Sequence, residues 1–352
     1  MNRYINAVRA LAAGEPPKAS FNFAELLRRH RCYYLLQQLP QSPEQKAALQ
    51  AENSLNRVSL KQRYKTCAPL FQAFEQAKIP YAVIKGAVFS QTAYRDPACR
   101  HSGDLDLLIN KNSIEPVKAI LKQNGFVQGR VTAQGLQPFT RRELLFQAAF
   151  SHQTAPFICQ TANPLSPFVN VDVNFSPYWG EYQDPPETGW ILTHTVPTEI
   201  LGIDLQKLEP ELELIALCLH HYKDFNSIYM LWEKGLSLDH FCDIYFALKN
   251  QVYDLKKLLE YAEKLRAEPY LYYCLYYTQK IFGGSVTAGL LPFFESEKAT
   301  ALLPCFGLTP LEQQTWQIDF YERLFTDDLR NYLAKTLPPE ALKKIKLNEQ
   351  NM

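Results

Sequence analysis

Two aspartates two residues apart, Asp104 and Asp106 in the run "DLDLLI", are the first residues of this chain able to do chemistry. On a β-strand, residues i and i+2 face the same way, so both carboxylates project together while Leu105 and Leu107 turn to the other face. Two like charges held that close favour a cation between them. An all-oxygen donor set of this kind suits Mg²⁺ or Mn²⁺, which take one or two carboxylates and complete their shell with water and substrate phosphate. A third carboxylate, Asp172 in "VNVDVNF", alternates with Val171 and Val173 in the same way. If its strand lies beside the first, three acids converge and could hold two metal ions, activating an attacking oxygen and neutralising a leaving pyrophosphate. Lys85 and Gly86 follow the apolar run "YAVI", and Gly103 directly precedes Asp104. Gly86 at a strand-to-helix junction leaves helix N-terminal amides available to phosphate oxygens, and Gly103 lets backbone come close to a ligand. Each residue also has a plain structural reading. An edge strand carries acids for solubility, Asp172 could be a satisfied half-buried acid, and Lys85 a surface lysine at a strand end.

The elements that must position these groups can be read from punctuation and periodicity. Asn22 with Glu25 has capping-box spacing and opens a helix over about 22–39; Ser42 as N-cap with Pro43 at the first turn opens a longer helical stretch ending near Lys78. After Pro80 the expected order is a short strand in "YAVIK", a helix from Gly86, a strand in "DLDLLI", and a helix "SIEPVKAILKQNG" closed by Gly125. Four further runs, "FVQGRV", "ELLFQAAFSHQ", "PFICQ" and "FVNVDVNF", are strand candidates. From about residue 205 helical spacing takes over, opening with Pro210 and continuing through "SLDHFCDIYFALKN", "DLKKLLEYAEKLRAE" and the tyrosine-rich "PYLYYCLYYTQKIFGG". The fold class is α+β, a mixed sheet with flanking helices between N-terminal helices and a C-terminal helical domain. The boundaries are 1–78 for the N-terminal helical segment, 79–180 for the core and 200–340 for the helical domain.

Composition narrows the function. The 352 residues carry 37 Lys plus Arg against 36 Asp plus Glu, which disfavours a general nucleic-acid surface and restricts any polyanion contact to a local cleft. The eight cysteines form no C-x-x-C pair and read as buried thiols of a reducing compartment. The N-terminal stretch lacks a sustained apolar segment, and no run of about 18 apolar residues occurs anywhere. The expectation is a cytoplasmic protein with no membrane partner.

The segment "LFQAFEQAKIPYAVIKGAVFSQTAYRDPACRHSGDLDLLI" resembles the signature of uncharacterised bacterial nucleotidyltransferases of the DNA polymerase β-like superfamily. It joins Ile79-Pro80, Lys85-Gly86, Arg100 and Asp104-x-Asp106 in order, and weaker similarity runs from about 20 to 250. The resemblance implies a metal-dependent enzyme that moves an NMP, most often AMP from ATP, onto a hydroxyl-type acceptor with release of pyrophosphate. The acceptor would be a small molecule or a protein, with nucleic acid disfavoured. Carried over, Asp104, Asp106 and Asp172 are metal ligands, with Asp172 also the general base. Gly86 marks the phosphate turn, and Lys85 and Arg100 offset phosphate charge, with Gly103 beside them. Two departures point to an alternative, a fold that binds nucleotide or a protein partner with little or no turnover. Ala87 replaces the usual second Gly or Ser of the turn, leaving only Ser90 to supply a hydroxyl, and Asn174 stands where many relatives have His.

Among the other polar residues, His220 and His221 are neighbours on a helix, point about 100° apart and cannot both face one metal. One is expected packed and the other solvated. Asp243 is expected as a buried acid bonded to Arg or backbone, His152 as a residue that could line the cleft, and Tyr178 and Trp179 as stacking partners for a base or acceptor. The tyrosines of 270–277 are expected as core and rim of the helical domain.

Overall fold

The computed structural model describes residues 2–17, 23–150, 152–180, 182–284 and 286–351. Asn22, and with it the expected first capping box, lies outside them. The chain divides into two compact units, one of residues 1–39, 217–249 and 262–352, the other of 40–216 and 250–261.

The second unit is built on an eight-stranded mixed sheet. Its strands are β1 (Tyr81–Ile84), β2 (Asp104–Ile109), β3 (Val127–Thr132), β4 (Gly135–Pro138), β5 (Phe157–Gln160), β6 (Phe168–Asn174), β7 (Thr195–Ile200) and β8 (Ile203–Leu208), in the spatial order β4-β3-β5-β6-β2-β1-β8-β7. The alternation seen in the sequence sorts the two faces. Leu105, Leu107 and Ile109 of β2, Val169, Val171 and Val173 of β6 and Tyr81 and Val83 of β1 are buried in one cluster. They pack against Leu60, Tyr64, Leu70, Phe71 and Phe74 of the Pro43–Gln76 helix and Val117 and Leu121 of the Ile114–Gln123 helix. Each such side chain contributes about 1.5–3 kcal/mol of burial. The even-numbered residues of β2 and β6 are thereby committed to the opposite face.

The Pro43–Gln76 helix starts as expected at Ser42, whose hydroxyl accepts from the Gln45 N–H while Gln45 returns a bond to the Ser42 N–H. Three elements correct the sequence reading. "ELLFQAAF" belongs to a helix, Arg141–Phe150, opened by a capping box in which Glu143 Oε2 accepts from the Thr140 N–H at 2.7 Å. β4 was not expected and forms a hairpin with β3. The sheet also continues past residue 180 into the β7–β8 hairpin, and β8 pairs parallel with β1 through Val83 and Lys207. Pro197 is accommodated because β7 is the last strand of the order.

The first unit is mostly helical. Asn2–Ala13, Asp239–Asn250, Glu268–Phe282 and Pro339–Asn351 are among its longer elements. Tyr273 and Tyr277 are buried in the Glu268–Phe282 helix, and Tyr277 donates to the Leu303 carbonyl at 2.6 Å, so the tyrosine run is core and rim. His221 is fully buried beside Asp243, with Nε2 3.5 Å from Oδ2, so a histidine stands against the acid. His220 is not left to solvent either: its Nε2 lies 3.4 Å from Asp224 Oδ2. No described helix is long and apolar enough to cross a membrane.

Candidate active site

β2 and β6 run parallel in a register that sets Asp106 directly beside Asp172 and Asp104 beside Asn170. The three carboxylates expected from the sequence therefore share one face of two adjacent strands. Among the described residues no group of three His, Cys, Asp or Glu side chains is already drawn together at a spacing that could hold a metal ion. A positive charge is nonetheless in place, since Lys85 Nζ lies 3.0 Å from Asp106 Oδ1, with both side chains largely buried. Asn174, 2 % exposed, donates from Nδ2 to the same Oδ1 at 3.1 Å and to the Leu107 carbonyl at 3.3 Å. Gln153 donates to Asp172 Oδ2 at 3.3 Å.

Electrostatics at this face follow from burial and repulsion. Desolvation, reinforced by Asp104 and Asp106, pushes the Asp172 carboxyl up to about 7 against the opposing pull of Lys85 and Gln153. Asp104 is raised as well, first by burial and then by Asp106, with Lys85, Arg63 and Arg100 resisting. Three carboxylates on one face, two of them raised by burial and mutual repulsion, make an oxygen donor set that fits a hard divalent cation.

The turn between β1 and the Gly86–Tyr94 helix is backbone-strained. Lys85 sits at φ 58°, ψ −153°, a region that side-chain-bearing residues rarely occupy and that costs on the order of 1–3 kcal/mol. Gly86 follows at φ 48°, where a Cβ would lie 3.4 Å from Ser102 Oγ. This conformation aims the lysine at Asp106 and leaves the helix N-terminus facing the 102–104 loop. Ala87 is buried in the sheet's core, which explains why an apolar residue suits that place. Ser90 is fully buried and committed: its hydroxyl donates to the Asp96 carbonyl at 2.7 Å and accepts from the Arg100 N–H at 3.1 Å. It cannot serve phosphate as the sequence allowed. Arg100 is half-buried, its charge close enough to act on Asp104. Gly103 is exposed, and a side chain there would meet open space, so close packing does not demand glycine.

One residue at the site carried no signal in the sequence. Arg63, from the middle of the Pro43–Gln76 helix, is 6 % exposed and donates to Ser102 Oγ at 3.0 Å, to the Ser102 carbonyl at 2.8 Å and to the Asp104 carbonyl at 3.1 Å. It fastens the loop that delivers Asp104. Of the aromatic candidates, Tyr178 is fully buried and stacks on Tyr182 at 4.0 Å, so it is a support, whereas Trp179 and Tyr182 line a cavity that also includes His152 and Gln153.

Comparison with known proteins gives one extensive match. A family model described as "Uncharacterised nucleotidyltransferase" covers residues 22–283. Among solved structures, one described as an antigenic nucleotidyltransferase-like protein from Paracoccidioides brasiliensis is similar at 16% identity and TM-score 0.32, over 60% of this chain and 92% of that one. A superposition that loose carries no argument about function. No curated protein matches the chain.

Proposed function

Because the chain belongs to that nucleotidyltransferase family, we propose that it transfers an NMP, in the first instance AMP from ATP, to a hydroxyl-type acceptor. The observation that carries this reading is the register of β2 and β6, which brings Asp106 and Asp172 side by side on one face with Asp104 on the same strand. Mg²⁺ or Mn²⁺ would be held by Asp104, Asp106 and Asp172 and would supply charge neutralisation at the phosphates.

The chain's own groups divide the work. The helix N-terminal amides after Gly86, with Lys85 and Arg100, hold the β- and γ-phosphates. Asp172, its proton affinity set by the metals beside it, takes the proton of the acceptor hydroxyl. The acceptor oxygen then forms a bond to the α-phosphorus as the bond from that phosphorus to the bridging oxygen breaks, and pyrophosphate leaves with the pair of electrons. Positioning and charge neutralisation are what an in-line displacement of this kind asks of a protein. A cytoplasmic setting and a small-molecule or protein acceptor belong to the same proposal.

A second reading has its own support. Asp106 Oδ1 is held by both Lys85 and Asn174, an arrangement that suits a nucleotide-binding module without turnover. Calorimetric titration of ATP, GTP, CTP and UTP, with Mg²⁺ and with EDTA, into wild type and the Asp104→Ala/Asp106→Ala double variant tests the site. Metal-dependent binding of one nucleotide that the variant loses is the expected result. No binding to wild type under any condition overturns both readings. Binding without pyrophosphate release, even with cell extract added, favours the second.

A further inference from the structure

β2 and β6, the two strands that carry the carboxylates, end at Ile109 and Asn174, and beyond their carboxyl ends opens a cavity of about 970 Å³. Its size is at the upper end of the range of small-molecule sites, roughly 300–1,000 Å³. Gln153 ties the cavity to the carboxylates, since it lines the wall and donates to Asp172 Oδ2 at 3.3 Å. Phe175, Trp179 and Tyr182 give the cavity three aromatic walls. Lys111 lies with its ammonium 5.7 Å from the Phe175 ring centre, while Lys118 is engaged by Glu115 at 2.9 Å.

Position along the strands decides what this cavity is for. The strained turn at Lys85 and Gly86 faces the amino-terminal end of β2, next to Asp104, whereas the cavity lies past the carboxyl ends of β2 and β6, linked to Asp172 by Gln153. In an in-line displacement the attacking oxygen and the leaving pyrophosphate stand on opposite sides of the α-phosphorus. With the leaving phosphates at the Gly86 turn, the attacking hydroxyl must come from the Asp172 side. We propose that the cavity is the acceptor pocket and that the acceptor is a small molecule whose reacting hydroxyl is carried on a planar aromatic body. Flat walls of Phe, Trp and Tyr select flat ligands through stacked and edge-on ring contacts. The proposal rests on the nucleotidyl-transfer reading.

The test uses 4-ethylphenol as probe and cyclohexanol as its non-aromatic counterpart, titrated into the full chain with and without ATP and Mg²⁺. Binding is read by saturation-transfer NMR and by the shift of the Trp179 indole N–H, assigned with Trp179→Phe. The expected result is that 4-ethylphenol binds more tightly than cyclohexanol, moves the Trp179 signal and loses roughly fivefold in affinity in Phe175→Leu. Equal binding of the two alcohols, an unmoved Trp179 signal in wild type or unaltered affinity in Phe175→Leu overturns the proposal. Because the comparison of the two alcohols is made on the wild-type chain, misfolding of either variant leaves the test decisive. Failure of the transfer reading shows separately, as absent nucleotide binding in the calorimetric titration, whatever the phenol does.

Discussion

Asp172→Asn should make the metal-free protein more stable at pH 8, although it removes a residue of the proposed active site. The Asp172 carboxyl is lifted from its ordinary value of 3.8 to about 7. Between those two values the folded state binds a proton that the unfolded state does not, so stability falls as pH rises through that window and stays low above 7. A shift of about three units at about 1.4 kcal/mol each sets a ceiling of about 4 kcal/mol. Residual solvent access and sharing of the repulsion with Asp104 and Asp106 reduce this to about 2 kcal/mol. Asparagine is nearly isosteric, can still accept from Gln153 and carries no charge. For a unit of this size the gain corresponds to a rise in Tm of about 4–8 °C. The assay is thermal unfolding in EDTA from pH 5 to 8.5. Wild type should lose stability across the range, the variant should be flatter and higher above pH 7, and added Mg²⁺ should raise the wild type far more than the variant. A variant less stable than wild type at pH 8, or an equal pH slope in both, would refute the electrostatic account of this site.

Arg63→Met should cost about 3 kcal/mol in urea unfolding, since a charged donor serving three acceptors at Ser102 and Asp104 is lost from a buried position. It should also weaken nucleotide binding, and an unchanged urea midpoint would show that the arginine does not fasten the loop. His240 lies in the helical unit with Nδ1 3.1 Å from Asp239 Oδ1 and Nε2 3.4 Å from Asp224 Oδ2. Burial opposes its charge, yet the two aspartates outweigh burial and lift its pKa to about 10. Its stabilising effect is therefore complete below pH ~6.5 and lost as pH rises toward 10. His240→Gln should remove that part of the alkaline slope in thermal melts, and an identical slope would count against the ion pairs.

The shared face of the three carboxylates was legible in the sequence, parts of the frame around them were not, and the reasons are physical. Asp104, Asp106 and Asp172 declare themselves because a period of two separates them from Leu105, Leu107, Val171 and Val173, and the same period fixes which face they share. Their adjacency depends on β2 pairing with β6 across some sixty intervening residues, which no local pattern encodes. The β7–β8 hairpin escaped because Pro197 argues against a strand unless the strand is at an edge. Its two-residue turn also places Leu201 at φ 53° before Gly202 at φ 82°, and leucine is no turn signal. In "TRRELLFQAAF" the Thr140–Glu143 capping pair was passed over, because the apolar run that follows reads equally well as a strand. Arg63 could not have been found, because its role lies in the distance it spans and not in its neighbours.

The two ends of the sheet order bear on how the protein behaves in concentrated solution. An edge strand offers a row of backbone donors and acceptors to any other chain in extended conformation, and that is a route to edge-to-edge aggregation. Here β7 carries Pro197, which lacks a donor, and β4 is four residues long and ends in Pro138. Both margins are poor templates for further strands, so a sheet of eight strands can be kept at high concentration without recruiting a ninth.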